Sequence, residues 1–184
     1  CHDNSILLWL EHGVRVIFPE DDFVSEIDID YISPWNVALN VHEKKTVAYL
    51  KIGKTYYHLA ANGFVLSNQS SPDEGITQIS DLEVIKAEVG DSIEVSEPDD
   101  LTDMLQIAQI INESSLKVDK VGIAQSGKYV IEYQGIHVLV GRNIYMAEKI
   151  SELESLAGEL EGMTGTLHLE EYDSPKDSII FTKD

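Results

Sequence analysis

Two hydrophobic periods alternate along the chain, and their order predicts its elements. Asp3-Asn4-Ser5 offers N-cap chemistry for a short helix through Ile6, Leu7 and Leu10, stopped by Gly13. Pro19 with Glu20, Asp21 and Asp22 makes a turn. From Phe23 to Ile32 the period is two: Ile27, Ile29 and Tyr31 share one face, and Glu26, Asp28 and Asp30 the other, in solvent. Pro34 opens a second strand carrying Val37, Leu39 and Val41, and Val47 to Ile52 and Thr55 to Ala60 continue the sheet. Asn62-Gly63 predicts a type I′ hairpin turn, whose two central residues need positive φ. The polar run from Asn68 to Gly75 predicts a long loop.

The period changes to 3.6 twice in the second half. Leu101, Met104, Leu105, Ala108 and Ile111 predict one amphipathic helix with Asp99 or Asp100 as its cap. Met146, Ile150, Leu153, Leu156, Ala157 and Leu160 predict another, capped by Asn143 and ended by Gly162. Between them, Val118 to Gln125, Tyr129 to Gln134 and Ile136 to Gly141 read as an up-and-down meander turning at Ser126-Gly127 and Gln134-Gly135. Thr166 to Tyr172 and Ser178 to Thr182 read as closing strands. The order predicts an α+β fold with a mainly antiparallel sheet, since βαβ alternation is missing. No internal repeat is evident.

Composition narrows the partners. The 184 residues hold 43% apolar side chains, enough for a core. Thirteen basic residues against thirty-three acidic ones give a formal charge of −20, which repels nucleic-acid phosphates and anionic lipid. Such acidity serves solubility, or steers a basic partner. No apolar run approaches the roughly 20 residues that span a bilayer, and no signal-peptide layout is present. The single cysteine, Cys1, forms no internal disulfide. It reads as the point where a longer protein was cut, with a lipid-modified N-terminus as the alternative.

Chemical motifs are weak. Gly122-Ile-Ala-Gln-Ser-Gly-Lys128 matches seven positions of a P-loop, but Tyr129 stands where a magnesium-binding Ser or Thr is needed, and a strand follows instead of a helix. The histidines at 2, 12, 42, 58, 137 and 168 are scattered, so no metal site is expected. Asp28-Ile-Asp30 lacks the glycine and distal glutamate of a calcium loop. No Gly-x-Ser-x-Gly elbow exists. If Glu170 and Glu171 lie on a strand, they point to opposite faces and cannot share a substrate. The aromatics interleave with acids, unlike a base-stacking platform. The expectation is a non-enzymatic protein without cofactor.

One stretch carries family information. Ser33-Pro34-Trp35-Asn36-Val37-Ala38-Leu39-Asn40-Val41-His42-Glu43-Lys44-Lys45-Thr46-Val47-Ala48 resembles the Pro, strand, Glu-basic, Val-Ala signature of the FtsQ/DivIB cell-division family. Tyr56-Tyr57-His58-Leu59-Ala60-Ala61-Asn62-Gly63-Phe64-Val65 is similar to the entry of that family's β domain. Val138-Leu139-Val140-Gly141, followed by a helix with Lys149 and Leu153, is similar to its Val-x-Leu-Gly … Lys step, and Gly165 to Tyr172 sits where members carry a penultimate strand. The motifs run over nearly the whole chain; each is loose, and their order is what identifies. Two departures stand out: Asp81 precedes Leu82 where members carry Gly-Leu or Gly-Phe, and His168-Leu169-Glu170-Glu171 replaces an Asp-Leu-Arg.

The resemblance implies a truncated POTRA module over 1–51 and an FtsQ/DivIB-type β domain over 52–184, with two amphipathic helices. The first POTRA strand and helix are missing, so the chain is expected to start inside that module. It also implies a divisome scaffold for septation, single-pass, on the extracytoplasmic face of the bacterial cytoplasmic membrane through a transmembrane helix outside this chain. The implied partners are the coiled-coil membrane proteins FtsL and FtsB/DivIC.

The last strand, Ser178, Ile179, Ile180, Phe181 and Thr182, is the candidate contact, with Glu171 and Tyr172 at its border. At a sheet edge it offers backbone groups for strand addition, although Ile179 and Phe181 also suit a core. The alternatives are a lipid-anchored or secreted ligand-binding module attached through Cys1, and an acidic hydrolase.

Overall fold

The computed structural model describes residues 24–33, 36–172 and 179–183, with side-chain placement from Lys44 onward. The expected helix at Ile6 and the turn at Pro19 lie outside the described residues, as does Ser178. The chain divides into two compact units, one up to Lys44 and the other from Lys45 on. Residues 45–51 therefore belong with the second unit, whereas the sequence reading placed them with the first.

In the first unit, β1 (Val24–Ser33) pairs antiparallel with β2 (Asn36–Glu43), in a register that sets Ile27 opposite Val41 and Ile29 opposite Leu39. The alternating pattern on either side of Pro34 thus becomes a hairpin.

The second unit is built on a nine-stranded sheet. Its strands are β3 (Ala48–Ile52), β4 (Thr55–Leu59), β5 (Val65–Gln69), β6 (Thr77–Ile79), β9 (Lys120–Gln125), β10 (Lys128–Tyr133), β11 (Ile136–Gly141), β12 (Gly165–His168) and β13 (Ile180–Lys183). A separate ribbon, β7 (Val84–Lys86) with β8 (Glu94–Val95), precedes helix α1 (Pro98–Glu113); helix α2 (Met146–Leu160) follows β11. The spatial order is β13-β12-β11-β10-β9-β6-β3-β4-β5. Five of its eight pairings are antiparallel, while β3·β6, β6·β9 and β11·β12 are parallel. The sheet is mainly antiparallel, as the sequence predicts.

The expected absence of βαβ units is corrected. The route from β6 through α1 returns to β9 beside it, and the route from β11 through α2 returns to β12. Parallel neighbours require such a crossover. The sequence hid them because β6 is three residues long, too short to show a period, and β7 and β8 intervene before the helix.

Alternate residues of the central strands form the core with the helices. Leu50, Leu59, Ile79, Val121, Ile131, Val138 and Leu167 meet Met104, Leu105, Ala108 and Ile111 of α1 and Ile150 and Leu153 of α2 in one buried cluster. Both helical stripes are therefore used, although Leu156 and Ala157 are only partly buried.

The helix starts differ from expectation. Pro98 occupies the first turn of α1 after Glu97, with its φ pre-set for a helix. Asp99 and Asp100 lie inside that turn, where the helix dipole favours them. Asn143 does not cap α2; Tyr145 does, in the left-handed conformation. The expected type I′ turn at Asn62-Gly63 is also corrected. Only Gly63 has positive φ there, and Gly63 N–H donates to Ala60 O at 3.0 Å, so the loop is a three-residue one. The type I′ geometry occurs at Gln134-Gly135, with φ of 50° and 85°. The long loop begins only after Gln69, because β5 absorbs Asn68.

Candidate partner-binding site

β13 ends the sheet. It pairs with β12 on one side, and no described strand lies on the other. The backbone register decides which of its groups are free. Leu169 donates its N–H to the Leu139 carbonyl at 2.9 Å. Backbone groups of successive strand residues point to opposite sides. Gly165, Leu167 and Leu169 therefore face β11, and Thr166 and His168 face β13. Their partners are Thr182 and Ile180. The N–H and C=O groups of Ile180 and Thr182 are consequently used inside the sheet, and those of Phe181 and Lys183 point outward.

The side chains divide in the opposite sense. Ile180 is 61% exposed, while Ile179 and Phe181 pack against the core and Thr182 is exposed. Phe181 thus anchors the strand with its ring and presents its backbone to solvent. Tyr172 is buried in the core and its hydroxyl donates to Glu152 Oε2 at 3.3 Å, so its side chain is not offered to a partner as expected.

Glu170 and Glu171 are not on a strand. β12 stops at His168, and both glutamates lie in the following turn, where they line one cavity of about 500 Å³. The expected placement on opposite faces of a strand is therefore corrected. Lys128, Arg142 and Ile144 also line this cavity, and an adjoining one of about 430 Å³ shares those three residues. Leu139 lines the first cavity, pairs across with His168, and His168 pairs with Ile180, so one row of residues leads from the cavity to the edge.

Three loops hold this corner. Gly141 has φ of +67°, and a Cβ there would meet Glu170 backbone and side-chain atoms at 3.0–3.2 Å. Only glycine lets the two loops approach so closely. Lys149, buried on α2, donates from Nζ to Val140 O at 2.7 Å. Asn143, freed from capping, donates to Asp103 Oδ1 and to Gln106 Oε1, each at 2.9 Å, tying the β11–α2 loop to α1.

Below lies Tyr129, 1% exposed, with its hydroxyl 2.9 Å from Asp100 Oδ1 and 2.8 Å from Asp103 Oδ2. Asp100 also accepts from the Gly127 N–H and the Ser126 hydroxyl, which fastens the β9–β10 turn to the start of α1. Burial, and then the neighbouring carboxylates of Asp103 and Asp100, hold the Tyr129 phenol protonated well above its ordinary range. The P-loop-like segment is accordingly a strand–turn–strand.

Sequence reading missed Lys128, Arg142, Ile144 and Tyr145. Arg142 is the only arginine among the described residues, and Ile144 and Tyr145 are each about half exposed, directly before an amphipathic helix. That apolar pair outside the helical stripe was the available signal. No cluster of metal-ligating side chains occurs among the described residues. No protein-family model matches the chain, and no curated protein matches it.

Proposed function

We propose that this chain is the extracytoplasmic part of an FtsQ/DivIB-type divisome scaffold, a non-enzymatic protein that binds FtsL-like and FtsB/DivIC-like coiled-coil membrane proteins. The single observation that carries the reading is the outward backbone of β13 at the sheet edge. Strand addition there supplies main-chain hydrogen bonds, while alternate side-chain pockets select the partner. The nearby cavity, lined by Arg142 and Lys128 as well as Glu170 and Glu171, suits a partner segment of mixed charge. The order of sequence motifs from Ser33 to Tyr172 supports the same family.

The test is co-purification of this chain with those two partners, comparing Phe181→Pro, Phe181→Ala and Ile180→Pro. Phe181→Pro removes an outward donor and should abolish capture, whereas Phe181→Ala keeps the donor and should retain most of it. Ile180→Pro removes an inward donor and should loosen β13 from β12, visible as a lowered melting temperature. Unchanged capture by folded Phe181→Pro would refute the edge, and no capture by the unaltered chain would refute the family reading.

A further inference from the structure

Charge is segregated in this protein. From Lys44 to Pro72 the chain contains four lysines and no carboxylate, which leaves nine basic residues elsewhere against all thirty-three acidic ones. Two of the lysines flank the β3–β4 hairpin tip, where Lys51, Ile52, Gly53 and Lys54 are all exposed. Neither Lys51 nor Lys54 has a carboxylate within ion-pair distance among the described residues, despite the overall charge of −20.

The hairpin also organises aromatic and apolar groups beside these charges. Lys51 pairs across with Tyr56, and its ammonium lies 5.4 Å from the centre of that ring. Tyr56 meets Tyr49 edge-on at 5.7 Å. Leu50 belongs to the core under the helices, so by alternation Lys51 lies on the opposite face of the sheet, where it is exposed although Tyr49 and His58 on that face are buried. Tyr56 is paired across with Gln69 of β5, the other edge strand. The carboxylate farther along this face, Asp73, lies 3.4 Å from Nε2 of buried His58 and away from the tip.

We propose that the β3–β4 hairpin tip is a second interaction surface, which takes a short extended protein segment carrying carboxylates among apolar residues. Lys51 and Lys54 meet the carboxylates, and Tyr56, on the same face as Lys51, meets the apolar side chains. The chemistry favours a short segment over an extended polyanion or a bilayer. A charge of −20 repels any large anionic surface, whereas a short segment is attracted by the two nearest cations within a Debye length of about 8 Å. This surface is separate from β13, so neither proposal depends on the other.

The experiment is fluorescence anisotropy of a labelled peptide of repeating glutamate–valine pairs with the unaltered chain, K51E/K54E and Ile52→Ser, each checked for an unchanged melting temperature. Binding should weaken about tenfold in K51E/K54E, be unchanged by Ile52→Ser on the opposite face of the hairpin, and fall as salt is raised. No binding, or binding indifferent to K51E/K54E, overturns the proposal. Co-sedimentation with phosphatidylglycerol vesicles is run in parallel. Lysine-dependent vesicle binding without peptide binding would assign the surface to a membrane and overturn the stated occupant.

Discussion

Replacing Tyr129 by Phe removes one oxygen from the polar network that joins β10 to α1. At neutral pH, Asp100 keeps its bonds from Gly127 and Ser126, and Asp103 keeps Asn143, but Asp103 Oδ2 loses its phenol donor. Hydrogen bonds to charged groups are worth about 1.5–3 kcal/mol, so the variant should be destabilised by that amount. The difference should then shrink in alkali. The folded phenol holds its proton well above its ordinary value, while the unfolded one releases it near pH 10. Above that pH the unfolded state binds fewer protons than the folded one, so stability falls by about 1.4 kcal/mol per pH unit. The stabilisation is fully present below about pH 10 and is lost as pH rises toward the folded value. Tyr49, whose phenol is also raised by burial and by Tyr56, contributes equally to both proteins and cancels in the comparison. Urea unfolding of the two proteins between about pH 8 and 12 should show curves that converge within about two units above pH 10. A constant gap across that range would refute the account of a proton held by burial between two carboxylates.

Three further outcomes follow from packing. Gly165→Ala places a methyl group against the Thr182 carbonyl, so β13 should detach while the core persists; hydrogen exchange should accelerate at Phe181 and Thr182 and stay slow in α1. Lys149→Met leaves the Val140 carbonyl without its 2.7 Å donor and should cost about 1–3 kcal/mol in chemical denaturation, with loosening at the Gly141 loop. Ile107→Ala opens a cavity at a fully buried position of α1 and should cost about 2–5 kcal/mol by thermal or urea unfolding, without altering partner capture at β13.

The legibility of the site followed the same division as that of the fold. Ile180 and Phe181 were readable as a strand, because alternation of side chains is a local property of the extended chain. Which backbone groups are free is not local; it depends on Leu169 bonding to Leu139, and through them on where β12 sits. Tyr172 read as a border residue and is instead buried against Glu152, since burial is decided by elements distant in sequence. Lys128 starts β10, Arg142 follows β11 and Glu170 follows β12, and nothing in their spacing brings them to one cavity. Asp100 and Asn143 read as caps because their side chains suit that role, yet donors and acceptors from other elements bind them instead.

The sequence by itself determined the class of each long element, the meander turns at Gly127 and Gly135, the apolar faces of both helices and the α+β composition. These rest on period and turn chemistry, which act within a few residues. Only the tertiary structure decided the strand order, the two parallel crossovers through α1 and α2, and the placing of β13 at the edge with Phe181's backbone outward. Those features arise from pairings between residues far apart in the chain, where several arrangements satisfy the same local pattern and collective burial selects one.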